Sequence, residues 1–379
     1  MKKIKHLIIC LLIFLITFSF SSCAFLEFIP SDFSKVELIY EGNSGKRYFY
    51  EHLSKNAKVA YTLVLNNIKN HSLNIDIPII TEQEFNEVFH AISYDNPDCI
   101  CLGLTSELKK VGNKCYFMPS YLYTKDECDK LCNKLNATVD KIISKMPQGL
   151  DDFNKEKYLH DYICNFCEYD YSEQGANKTK AYDALVLGKA VCEGYARGIQ
   201  LLLNKANIDN YLIVGNGTNS KGKVESHMWN IVSLNGKNYH LDVTWDDFGK
   251  KETPSISYTY FNVTDKAISK NHFNFMPAEN NCVSLENNYF VKNGIYFDSY
   301  KKFNYDKAIS CLISSKKQNN FEVAFSTKEV FNNAKKNLID NGDIYDIVDL
   351  TNKKYKSKKF SNVLYVLDDD MFVIHFIFE

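Results

Sequence analysis

The chain predicts an α+β fold in which a helix packs on an antiparallel sheet, and two patterns between Ala181 and Asp247 carry that prediction. Over residues 191–206, Tyr195, Ile199, Leu202 and Ala206 recur at helical spacing after Gly188, as an amphipathic helix requires. Downstream, residues 227–234 and 237–244 flank Asn235-Gly236, the strongest two-residue signal for a β-hairpin. A third observation sets the surroundings: helical periodicity dominates residues 46–146, whereas strand and helix patterns alternate after residue 280.

In chain order, residues 1–22 begin with a basic MKKIK, continue in an apolar run from Leu7 to Phe20 and end on small residues, the pattern of an export signal. The run is shorter than the about 20 apolar residues that a membrane span needs. Ser21-Ser22-Cys23 resembles the lipobox of bacterial lipoproteins, which implies a lipid on Cys23 and attachment to the outer face of the cell membrane. Phe20 stands where that box prefers an aliphatic residue, so ordinary cleavage and a retained anchor stay open as alternatives. Residues 23–45 have too little apolar periodicity to pack and read as a tether.

Residues 46–146 form a mainly helical region expected to pack on the core and shape a cleft. A helix over 48–70 aligns Leu53, Ala57, Ala60, Val64 and Ile68, and Thr81 with Glu84 makes a capping box that starts a second helix. Asp95-Asn96-Pro97 breaks that helix. Short strands are expected at 99–103 and 114–118, and a third helix over 125–145 closes before Pro147.

The core, residues 147–279, opens with a helix over 151–166 whose apolar stripe is Phe153, Tyr158, Leu159, Tyr162, Ile163 and Phe166. His160 and Asp161 on it read as structural or surface residues. A strand at 211–215 and a Gly/Asn/Ser-rich loop at 216–223 follow, the loop bordering the cleft. In the hairpin, a two-residue turn pairs Leu234 with Lys237, and counting outward sets Trp229 opposite Asp242 and His227 opposite Thr244. Side chains alternate, so His227, Trp229 and Ile231 share a face with His240, Asp242 and Thr244. His227 then lies diagonal to Asp242 at roughly 7 Å between Cβ atoms, within reach of a carboxylate. Residues 280–379 read as a small α/β accessory domain: a strand in 288–298, a strand and helix in 321–339, and a closing hairpin around Asp368 to Asp370.

Three residues in this stretch belong to nucleophilic chemistry. Cys192 falls in the first turn of its helix, where unpaired N–H groups and the positive dipole end favour a thiolate. His227 and Asp242 supply a base and a group to orient it. Taken singly, a helical cysteine is usually a small buried hydrophobe, and a histidine or aspartate on a strand is usually a surface or satisfied core group. Order, helix-start placement and a shared hairpin face are independent requirements, and together they outweigh those ordinary explanations. His240, paired with Ile231, reads as a core or rim residue.

The runs GKAVCEGYARG, HMWN and YHLDVTWDD resemble the transglutaminase-like superfamily in order and spacing, with likeness running from about residue 155 to about 273. The resemblance implies a papain-like α+β core in which Cys192 is the nucleophile, His227 its base and Asp242 the residue that orients His227. It implies attack on an amide carbonyl of a protein or peptide substrate, with the Cys192 N–H as one oxyanion donor. The resulting thioester goes to water in a peptidase or amidase, or to an amine in a transglutaminase, and a surface protein keeping the fold for binding alone is the rival from another class. Gly194 is expected to permit close approach of backbone or substrate, and Trp229 to border the site, either shielding it from water and touching substrate or serving as a packing aromatic.

With 379 residues, 45% hydrophobic and 24% charged, the chain is long enough for two or three domains. Its net charge of -1 and lack of a basic face argue against a nucleic-acid partner. Of 12 cysteines, Cys10, Cys23 and Cys192 have other assignments, and Cys99, Cys101, Cys115, Cys128, Cys132, Cys164, Cys167, Cys282 and Cys311 are expected as buried free thiols. Neither a metal nor a cofactor is expected, since the cysteine pairs lack a matching histidine set.

Overall fold

The computed structural model describes residues 33, 36–37, 47–172, 177–219, 222–248, 256–278, 280–314, 319–354 and 359–379. The expected export signal, the lipid site at Cys23 and nearly all of the tether lie outside the described residues.

Helices α1 (Tyr48–Glu51) and α2 (Lys55–Ile68) take the place of one helix over 48–70, because the Ser54 hydroxyl accepts the Ala57 N–H and restarts the helix. After β1 (Ile75–Ile77), helix α3 (Glu82–Asp95) opens on the expected capping box. Thr81 accepts the Glu84 N–H at 3.1 Å and returns its own N–H to the Glu84 carboxylate at 2.8 Å. The two short strands expected next are a long hairpin, β2 (Leu102–Val111) and β3 (Lys114–Tyr121), turned at Gly112 with φ of 56°. With β1 they form a three-stranded antiparallel sheet, so this region is helix and sheet together. Helix α4 (Lys125–Ser144) is tied to the start of β2 by a disulfide between Cys101 and Cys128. That corrects the expectation of free thiols at both positions: Cys128 in the first turn of α4 faces Cys101, with their Cα atoms 5.9 Å apart.

Helix α5 (Asp152–Phe166) leads into two short paired strands, β4 (Glu168–Tyr169) and β5 (Lys189–Ala190), and then into α6 (Cys192–Lys205). Strands β6 (Asn210–Thr218), β7 (Val224–Leu234), β8 (Lys237–Leu241) and β9 (Phe261–Val263), helix α7 (Asp265–Ile268) and strand β10 (His272–Met276) follow. The five strands make an antiparallel sheet in the order β10-β6-β7-β8-β9. Tyr195, Ile199, Leu202 and Leu203 of α6 are buried against Val232, Leu234, Tyr239 and Leu241, which seats the helix on the sheet. Strands β7 and β8 pair Leu234 with Lys237 and Asn230 with Leu241, the register counted from the turn. Asn235 and Gly236 both adopt positive φ, 52° and 73°, as a type I′ turn demands. The ladder stops at Leu241 and does not run on to Thr244. The Asp242 carboxylate turns back onto the N–H groups of Thr244 and Trp245 and ends the strand.

Past the core come α8 (Tyr289–Lys292), β11 (Tyr296–Phe297), α9 (Tyr305–Ser314), β12 (Asn320–Phe325), α10 (Lys328–Lys335), α11 (Ile344–Lys354), β13 (Val363–Asp368) and β14 (Val373–Phe378). Their sheet runs β11-β12-β14-β13, and the closing hairpin turns where Asp368 accepts the N–H groups of Asp370 and Met371. The apolar cluster here reaches back to Tyr260, Val263 and Ile268, so packing crosses residue 280. Among the described residues, no helix is long and apolar enough to cross a membrane.

Candidate active site

Cys192 is the first residue of α6 and is partly exposed. Its approach is fixed by backbone: Ala190 pairs with Tyr169, and the Val191 N–H donates to the Lys178 carbonyl at 3.0 Å. His227 lies in β7 and Asp242 directly after β8, with His227 Nε2 at 2.6 Å from Asp242 Oδ2. A carboxylate only accepts, so the proton sits on Nε2, which leaves the Nδ1 lone pair free of Asp242 on a ring that stands beside Cys192. Burial alone would push the His227 ring down, but the charge and hydrogen bond of Asp242, then the contact with Cys192, hold it up to about 10. Burial likewise pulls Asp242 up, and the His227 charge and hydrogen bond, followed by those of His272, keep it well below the usual carboxylate range.

The walls around the imidazole are aromatic. Trp229 stacks on His227 at 5.7 Å and 21°, and Trp245 lies 5.4 Å from it. Both indoles occupy space opened by glycines of β6: a Cβ at Gly215 would stand 2.9 Å from Trp229, and one at Gly217 would stand 2.8 Å from Trp245. Trp229 is 1% exposed and donates its indole N–H to His240 Nδ1 at 2.9 Å, so it packs behind His227, the second of the two roles expected of it, and presents no face to a substrate. His240 in turn is tied to Asp265 through Nε2 at 2.8 Å. Gly194 is buried, and its missing Cβ makes room for the carbonyls of Lys178 and Lys180. The close approach it permits is that of the chain's own backbone.

Two residues here escaped sequence reasoning. His272, on β10, sets Nε2 3.1 Å from Asp242 Oδ2. Tyr169 lies beside Cys192, and burial, followed by the nearness of Cys192 and Glu225, raises its phenol. No local signal marks Tyr169, which is brought in by a two-residue strand; a short HFNFM alternation was the available sign of β10.

Two groups close enough to suit a metal, and one further thiol, imidazole and carboxylate set, are disfavoured in those roles for physical reasons. His227, Asp242 and His272 converge closely enough to suit a metal, yet both Asp242 oxygens are already taken by N–H donors. In His240, Asp265 and Cys282, the Trp229 N–H at Nδ1 forces the proton onto Nε2, the atom a metal would need. Cys164, His160 and Asp246 repeat the thiol, imidazole and carboxylate set, at 3.8 Å and 3.2 Å. All three are buried, and burial pushes the Cys164 thiol up to about 11 in spite of His160 beside it.

Residues 138–243 match the model of the transglutaminase-like superfamily. The kyphoscoliosis peptidase of Homo sapiens is 24% identical over 181 residues, 42% of this chain and 27% of that protein, so the chain spans about a quarter of the relative's length. A crystal structure of a TGase is similar at 14% identity and a TM-score of 0.27, over 47% of this chain and 51% of that one. The match to the transglutaminase-like superfamily is thus confined to residues 138–243, within a mixed α+β fold.

Proposed function

We propose that the chain is a thiol enzyme that cleaves amide bonds of proteins or peptides through a thioester on Cys192, working at the outer face of a membrane to which a lipid on Cys23 holds it. The observation that carries this reading is one buried imidazole, His227, bonded to Asp242 at 2.6 Å and standing beside the partly exposed Cys192 at the start of α6. His227 takes the thiol proton and the thiolate attacks the carbonyl carbon, with negative charge gathering near the Cys192 N–H. The imidazolium returns the proton to the leaving amine, and Asp242 keeps the ring in the tautomer that allows both transfers. Water, deprotonated by His227, then opens the thioester, releasing a carboxylic acid and restoring the thiol. The kyphoscoliosis relative bears the name of a peptidase, which supports transfer to water over transfer to an amine.

The test is to incubate the detergent-solubilised full chain with glutamine-containing peptides, with and without a labelled amine, and to weigh the products. Split peptides that have gained water, absent with Cys192→Ala, support hydrolysis. Amine adducts on intact peptides replace it with transglutaminase activity, and identical products from Cys192→Ala overturn the assignment of the nucleophile. For anchoring, Cys23→Ala is expected to remove lipid from the chain, and a lipid-free mature wild type refutes that part.

A further inference from the structure

We infer that His272 is a positioning residue for the Cys192 and His227 pair, acting through Asp242: its ring shares the carboxylate oxygen on which His227 depends. The inference rests on the reading of Cys192, His227 and Asp242 given above. His272 is wholly buried, with Nε2 at 3.1 Å from Asp242 Oδ2 and Nδ1 at 2.8 Å from the Asn271 amide. It lies face to edge with Trp229 at 4.9 Å, against Trp245 at 4.3 Å, and 5.3 Å from His227. A histidine that merely filled space would need no place on Oδ2. Asp242 is already supplied there by His227, and on Oδ1 by two backbone N–H groups. Since the carboxylate only accepts, His272 must donate from Nε2. Burial disfavours a second proton on the ring, so Nδ1 accepts from Asn271 with the amide turned by half: its nitrogen then donates to the ring, and its oxygen accepts from the Tyr260 hydroxyl 2.8 Å from the amide's other end.

Two donors on one oxygen divide its negative charge. Asp242 then supports the His227 imidazolium less strongly than it would as sole partner, and the imidazolium stays acidic enough to give its proton to a leaving amine. The titratable groups facing this pair are His227 from β7, His240 from β8, Tyr260 from the start of β9 with Asp246 and Asp368 behind it, and Cys192 beyond His227. His240 is occupied by Trp229 and Asp265, so it cannot take over the contact.

The experiment follows the rate of Cys192 alkylation by iodoacetamide against pH in the full chain, which requires no known substrate. His272→Phe keeps the volume and removes the donor; the limb reporting His227 deprotonation is expected to move up by roughly one pH unit, the scale of one hydrogen bond to a buried charge. His272→Gln sets an amide N–H near the Nε2 position and is expected to restore the wild-type profile, whereas His272→Asn, with its amide at the Nδ1 position, is not. If the Phe variant fails to fold, the Gln and Asn pair decides. Profiles superimposable on wild type in Phe and Asn overturn the inference. Failure of the underlying reading looks different: wild-type Cys192 would then react no faster than the other thiols.

Discussion

Replacing Asp242 by asparagine tests the proton arrangement with little change in shape. The carboxylate receives four donors: His227 at 2.6 Å and His272 at 3.1 Å on one oxygen, Thr244 N–H at 3.0 Å and Trp245 N–H at 3.3 Å on the other. An asparagine must keep its oxygen toward the two backbone N–H groups, which turns its NH₂ toward the rings. Both histidines must then accept at Nε2 and carry their protons on Nδ1. For His272 this fits once the Asn271 amide turns its oxygen to Nδ1, 2.8 Å away, and its nitrogen to the Tyr260 hydroxyl. For His227 the proton now faces Cys192, and the ring can no longer take the thiol's. Turnover is expected to fall about 10⁴-fold, the scale that a reversed tautomer causes in a serine protease triad. Stability should fall by only about 1–3 kcal/mol, since every hydrogen bond persists and only its ionic part is lost. The assay pairs thermal unfolding with turnover and Cys192 alkylation across pH. A folded Asp242→Asn protein with turnover within about tenfold of wild type, a barrier change near 1.4 kcal/mol, refutes the assigned tautomer.

Gly217→Ala is expected to drive Trp245 off the two histidines, because the new Cβ would stand 2.8 Å from its ring; a fall in turnover of about 10²-fold checks this, and unchanged turnover counts against it. Breaking the Cys101–Cys128 bridge, which spans 27 residues, is expected to cost about 3–4 kcal/mol, read as a lower unfolding midpoint both for Cys128→Ser and for reduced wild type. Glu156 is held up to about 8 by burial, and its Oε1 and the Oδ1 of its partner Asn262 both lack hydrogen-bond partners. A folded value raised above the unfolded one gives stability that is full below the ordinary glutamate range and lost as pH climbs through about 8. Glu156→Gln should therefore flatten the decline in unfolding midpoint between about pH 5 and about pH 9, and parallel declines in the two proteins would show that the group is not responsible.

The parts of the site that could be read in the sequence are those fixed by neighbours along the chain. Cys192 stands at a helix start, and His227 and Asp242 are placed by a turn whose two residues determine a register. What could not be read depends on long-range pairing. His272 reaches Asp242 only because β10 docks on the far edge of the sheet, beside β6. Tyr169 reaches Cys192 only because β4 runs parallel to β5. Trp229 was on the expected face, but its indole bond to His240 could not be read, since the register set that partner beside Ile231 and no local pattern links it to an indole. In the fold, the early helix was divided by Ser54, a residue whose cap competes with a continuous apolar stripe, and the disulfide joined positions 27 residues apart that share no local pattern.

The second thiol, imidazole and carboxylate set, Cys164 with His160 and Asp246, has a use of its own. It joins α5 to the turn after β8, with the Cys164 sulfur 3.8 Å from the Val243 carbonyl, and no part of it is accessible while the core is closed. A labelling reagent can reach it only when α5 separates from that turn. The molecule thus carries two clocks made of the same chemical parts: modification of Cys192 times encounters at the surface, and modification of Cys164 times the opening of the interior.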